Sequence, residues 1–86
     1  MAEKDVIGEV THYFPKISVG IIKLHKDLCV GELIGFGAKE SANEHFTQQV
    51  HSIQMEHTAV QHAKAGQEIG MKVDKPVHAG EMVCRA

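Results

Sequence analysis

Apolar positions in this chain recur mostly at every second residue, in short runs broken by glycine, proline and polar clusters. The longest patterned stretch runs from Phe46 to Val73. Its first half, Phe46 to His57, has apolar residues two apart at both ends, as a half-buried strand requires. The parity changes on the way: Phe46 and Val50 share one phase, Ile53 and Met55 the other. One long strand with a β-bulge near His51-Ser52 would reconcile them. Ala65-Gly66-Gln67 then reads as a tight turn, from which Ile69, Met71 and Val73 alternate as a second strand. Ile53, Met55, Ile69 and Met71 are accordingly expected to be buried on adjacent strands.

The remaining elements are shorter. Val6 to Phe14 alternates loosely and predicts a first strand, stopped by Pro15, which cannot donate to a ladder. Ile17 to Leu24 is rich in β-branched residues and predicts a second strand, with Gly20 marking a bulge or a sharp coil. His25-Lys26-Asp27 follows as a polar turn. Gly35 to Glu44 reads as a polar loop, Thr58 to Lys64 as one helical turn, and Asp74 to His78 as a connection before a closing strand at Met82-Val83-Cys84. A short phrase occurs three times, as Val30-Gly31-Glu32, Ala65-Gly66-Gln67 and Ala79-Gly80-Glu81, each followed by apolar residues. Glycine reaches backbone conformations that other residues resist, so each copy is expected to be a turn that launches a strand. The copies are unequally spaced, which makes them reused turn chemistry and not a repeat protein.

About six short strands, glycine-centred turns and almost no helix signal predict an all-β fold, a small closed barrel formed by residues 1–86 as one domain. With 86 residues, 43% of them hydrophobic, the chain can build one modest core and fits a soluble globular protein. No apolar run approaches the length of a membrane span, and Met1 to Asp5 is too charged to open a signal peptide, so no membrane and a cytoplasmic location are expected. Cys29 and Cys84 form no CxxC pair and are expected to be buried thiols rather than a disulfide.

Ile53-Gln54-Met55, ten residues from Met55 to Ala65, and then Ala65-Gly66-Gln67-Glu68-Ile69-Gly70 together resemble the second domain of elongation factor Tu and related translation GTPases. The chain is more similar still to small elongation-factor-like proteins and to the C-terminal module of collagenase-like peptidase-family proteins, some of which modify RNA. The resemblance spans nearly the whole chain. It implies a six-stranded Greek-key barrel of the translation-factor domain 2 type. It also implies a pocket that in relatives takes the aminoacylated adenosine of tRNA. Gln54 stands where relatives place a glutamate that contacts the terminal ribose, His57 where they place an arginine, and Glu68 where they place an asparagine. Gly66 and Gly70 are kept. The fold-making residues match while the polar ones differ, so aminoacyl-tRNA delivery is not implied, whereas docking to RNA or protein is.

Net charge is −2, with lysine and arginine scattered singly, which argues against an autonomous nucleic-acid binder. There are seven histidines, enough to reverse the sign of the net charge if all were protonated. His45, His51 and His57 are too far apart along one strand to share a metal ion; His57 and His62, beside Glu56, could approach one another across a short turn. No metal or other cofactor is expected. No Gly-x-Ser-x-Gly elbow or cysteine–histidine motif suggests catalysis, and no Gly-x-x-x-x-Gly-Lys loop suggests GTP binding. His12-Tyr13-Phe14 is an aromatic cluster at a strand end, suited either to stacking a base or to plugging the barrel. These readings converge on a non-catalytic binding module whose candidate surface comprises His12, Tyr13, Phe14, Gln54, His57, His62 and Glu68. The expected partner is RNA (tRNA or rRNA) or an RNA-handling protein. The alternative is a purely protein-docking barrel acting with a separate peptidase-family-like enzyme, and a small metal or ligand binder is a third class.

Overall fold

The computed structural model of the chain describes residues 5–37 and 46–85. These residues form ten strands and no helix. In chain order they are β1 (Asp5–Phe14), β2 (Val19–Leu24), β3 (Leu28–Cys29), β4 (Leu33–Gly37) and β5 (Phe46–Gln49), then β6 (Ile53–Met55), β7 (Thr58–Val60), β8 (His62–Ala63), β9 (Glu68–Lys72) and β10 (Met82–Arg85). Eight of them make one antiparallel sheet in the order β5-β4-β10-β1-β2-β9-β6-β7, while β3 and β8 pair separately. No helix of the described residues is long and apolar enough to cross a membrane.

The fold is all-β, as the alternation predicts, but it is a curled half-barrel sheet and not the closed six-stranded Greek-key barrel expected. The reason lies at Val50-His51-Ser52. Instead of bulging within one strand, the chain breaks there, because both backbone groups of Val50 are taken by another segment. Its N–H donates to the Glu32 carbonyl at 2.8 Å and its carbonyl accepts from Gly31 N–H at 2.9 Å. The parity change is thereby resolved between two strands, with β5 at one edge of the sheet and β6 next to the other. A side chain spans part of the remaining gap. Buried Gln48 donates to the carbonyls of Gln49 and Lys72, at 3.1 and 3.0 Å, and accepts from Asp74 N–H at 2.7 Å. A satisfied buried amide thus ties β5 to the end of β9 where no ladder does.

Further expectations are corrected locally. Thr58 to Lys64 forms strands β7 and β8, not a helical turn, because β6 turns back on itself and pairs with β7. Gly20 sits in register opposite Tyr13; the bulge lies across the ladder, at Thr11 in β1. Gly35 to Gly37 belong to β4, where Gly35 and Phe36 pair on both sides and Gly37 pairs with Met82, and the rest of the expected polar loop lies outside the described residues. The last strand does not close an edge: β10 lies between β1 and β4. Cys84 is buried, whereas Cys29 is exposed, and neither is in a disulfide.

The repeated phrase gains a mechanism. Gly31, Gly66 and Gly80 adopt φ of 96°, 90° and 96°, as the third residue of a type II turn requires. In each turn the residue after glycine donates its N–H back to the carbonyl three residues earlier, in the pairs Glu32–Cys29, Gln67–Lys64 and Glu81–His78. Its side-chain oxygen accepts the N–H of that same earlier residue, at 2.7, 2.8 and 2.6 Å respectively. A long acceptor side chain is needed at that position, which is why Glu or Gln follows glycine every time.

The core fills the concave side of the curl. Ile7, Val10, Ile22, Leu24, Ile34 and Phe36 meet Phe46, Ile53, Ile69, Met71 and Val83 there, and the Phe36 and Phe46 rings stack 4.9 Å apart. Met55 is only partly buried against this cluster. Gly8 is required by close approach, since a Cβ there would lie 2.8 Å from the Lys23 carbonyl oxygen and 2.9 Å from Ile22 Cγ2.

Candidate functional site

On β2, Gly20, Ile22 and Leu24 point into the core, which sends Val19 and Ile21 to the outer face of the sheet. Beside them on β9 is Gly70, paired with Ile21 on one side and with Gln54 of β6 on the other. A Cβ on Gly70 would rest 3.4 Å from Val19 Cγ1 and 3.6 Å from Ile21 Cδ1, so its absence lowers the sheet surface there. The result is an open groove of about 730 Å³ along the outer face, floored by Val19, Ile21 and Gly70. It continues past Gln54 into a lobe of about 280 Å³ that ends at Ser52 and Lys72.

Two turns make its walls. The loop Pro15–Ser18 joins β1 to β2 and presents Phe14 and Ile17, which are 48% and 58% exposed. Opposite it stands the two-residue turn Glu56-His57 between β6 and β7, next to Met55. Positive φ at both turn residues, 50° and 67°, matches the type I′ hairpin geometry that asparagine and glycine normally supply. Ser18 also has a positive φ, of 56°. Among the described residues, the non-glycine positions in this region of φ are Ser18, Glu56 and His57, all in the two turns bounding the groove. Such strain persists only where surrounding structure over-determines it, and it concentrates at binding sites.

The polar groups are few. Glu68 and Glu56 supply the carboxylates of the larger lobe, with Gln54, Gln67 and His57 beside them, and among the described residues no lysine or arginine lines it. Thr11, the bulged residue of β1, holds Glu68: its hydroxyl lies 3.2 Å from Glu68 Oε2 and 3.2 Å from the Ile21 carbonyl, one proton shared between two acceptors. Lys23 stands across the ladder from Glu68 but gives its ammonium to the Gly66 carbonyl at 2.9 Å.

Four of the seven residues expected from sequence, Phe14, Gln54, His57 and Glu68, line this groove. His12 does not, though its ring lies 6.5 Å from that of Phe14. Tyr13 packs against the core, so the plugging role suits it, while Phe14 is left outside. His62 is elsewhere, opposite Cys29 in the β3–β8 ladder, so it and His57 are not gathered into one cluster. Among the described residues no group of three or more His, Cys, Asp or Glu could hold a metal ion; His51 pairs with Asp74 at 3.0 Å on the surface. Sequence reasoning missed Ile17, Val19, Ile21 and Thr11. The signal for three of them was present: Ile17 to Leu24 is apolar on both parities, which leaves an apolar outer face.

No family model matches the chain. It is 34% identical over 77 residues to an uncharacterized protease of Methanocaldococcus jannaschii, covering 90% of this chain. The chain spans only 18% of the length of that relative. Among solved structures it is similar to the C-terminal domain of a Geobacillus thermoleovorans protein provisionally named a U32 peptidase. The TM-score is 0.84 at 21% identity, with 95% of this chain and 92% of that one covered. The selenomethionine variant of the same domain gives the same TM-score and identity over its full length. The fold is therefore that of a peptidase-family C-terminal domain, in line with the collagenase-like half of the resemblance.

Proposed function

We propose that the chain is a non-catalytic docking module of the kind that accompanies U32-type peptidase-family proteins, and that it engages a protein partner through the outer groove. One observation carries this reading. The core is complete on the concave side, yet Phe14, Ile17, Val19 and Ile21 place a second apolar surface on the convex side. Contiguous exposed apolar surface with a sparse polar rim is what protein interfaces bury. Similarity to a peptidase-family C-terminal domain suggests an enzyme of that family as the partner. Thiols at Cys29 and Cys84 outside any disulfide, the first exposed, suit a reducing compartment and support a cytoplasmic setting.

RNA docking is the weaker reading. A phosphate-binding surface is built from lysine and arginine, whereas Glu56 and Glu68 are the carboxylates of this groove.

The reading is tested by mixing the purified chain with the catalytic part of a U32-type enzyme from the same organism, with and without ribonuclease, and measuring complex formation by size exclusion. A complex that survives ribonuclease and is lost on Ile17→Glu is expected. A complex that requires RNA, or one indifferent to Ile17→Glu, would overturn it.

A further inference from the structure

The groove also indicates what kind of segment it takes, an inference that rests on the docking reading above. We infer that the larger lobe binds an extended protein segment in which a lysine or arginine stands next to a large apolar side chain.

The apolar half of the specificity comes from the floor and one wall. Val19 and Ile21 sit side by side on the outer face, the missing side chain of Gly70 deepens the surface beside them, and Ile17 overhangs it. A leucine-sized side chain laid there would cover surface that water now contacts. The cationic half comes from the opposite end. Glu68 lines the lobe with one carboxylate oxygen 3.2 Å from the Thr11 hydroxyl, and Glu56 lines it from the strained turn. Neither carboxylate has an ion-pair partner among the described residues; Lys23, across the ladder from Glu68, lies outside the lobe's lining and donates to the Gly66 carbonyl.

Backbone geometry marks the same turn. A type I′ turn is most easily made by asparagine followed by glycine. This chain puts a glutamate and a histidine there instead, both at positive φ and both lining the lobe. Among the described lining residues the charge reverses at the far end, where Lys72 lines the smaller lobe. A segment lying along both lobes would therefore run with its basic residue toward Glu56 and Glu68.

The test uses four labelled probes and fluorescence anisotropy at about pH 8, where histidine is normally uncharged. The probes are an octapeptide alternating leucine with lysine, its leucine–glutamate counterpart, its serine–lysine counterpart, and a single-stranded RNA octamer. The leucine–lysine peptide should bind best. Its affinity should fall about tenfold in the double variant Glu56→Gln/Glu68→Gln, which keeps the hydrogen-bonding shapes, in line with the coupling that close charge pairs show. Ile17→Ser should weaken it too, and Glu9→Gln, which removes one negative charge outside the groove, should leave it unchanged. Equal binding of the leucine–glutamate peptide, an equal effect of Glu9→Gln, or preference for the RNA would each overturn the inference. If the parent binds the leucine–lysine and leucine–glutamate peptides equally and Ile17→Ser weakens both, the cationic preference falls while the docking reading stands.

Discussion

The Thr11 hydroxyl lies 3.2 Å from Oε2 of Glu68, a residue 57 positions further along the chain. It does so because Thr11 is the extra residue of the β1 bulge, where the pairing with β2 slips between Val10 and His12. A bulge re-aims a side chain that regular pairing would send elsewhere. Thr11→Val keeps the shape and removes the donor. Because the contact is exposed, the loss of stability should be under about 1 kcal/mol. Binding of a cationic peptide should change more than the denaturation midpoint does, which parallel urea titrations and anisotropy measurements would reveal.

The three glycine-centred turns share a side-chain acceptor, and its removal should be felt in each. Gln67→Ala and Glu81→Ala each strip the partner from a backbone N–H, of Lys64 and His78 respectively. The expected cost is about 0.5–1.5 kcal/mol for Gln67, whose turn is exposed, and more for the buried Glu81. Gln67→Glu, which copies the other two turns, should be close to neutral in thermal melts.

Two glycines four residues apart should behave oppositely. Gly66 has φ of +90° and nothing within 4 Å of a would-be Cβ, so Gly66→Val costs stability through the backbone alone. About 1–3 kcal/mol is expected for forcing a side chain into that region. Gly70 has no such φ, and a Cβ there meets only ordinary contacts. Gly70→Ala should therefore melt near the parent yet bind peptide more weakly, since the added methyl raises the groove floor. An unchanged melting curve for Gly66→Val would remove the turn assignment.

Strain in the β6–β7 turn predicts a gain. Replacing Glu56-His57 with Asn-Gly relieves two non-glycine residues held at positive φ. The double variant should be more stable by about 1 kcal/mol or more. If the strain serves the groove, the same variant should lose affinity for a basic peptide, and calorimetry on both properties would expose that opposition.

Much of the fold was legible in the chain because alternation and turn chemistry are local. The parity switch between Val50 and Ile53, the three glycine turns and the burial of Ile53, Ile69 and Met71 all follow from residues close in sequence. What could not be read was long-range. A phase change looks the same whether a strand bulges or breaks, and the break depends on Gly31 and Glu32 capturing Val50. The Gln48 tie to Lys72 and Asp74 likewise joins segments that no local pattern relates. At the site, Gln54, His57 and Glu68 came from the translation-factor resemblance. The apolar half came from none of it, although a strand apolar on both faces, Val19 to Leu24, was the available clue.

On the docking proposal, a protein partner covers the outer face of β2, β9 and β6. Backbone amide NMR of the labelled chain, with the catalytic part of a U32-type enzyme added in steps, tests it most directly. The resonances of Ile17, Ile21, Gln54, His57 and Gly70 should shift together and saturably, and those of Cys29 and His62 on the β3–β8 ladder should stay in place. Shifts confined to that ladder, or none at saturating enzyme, would contradict it.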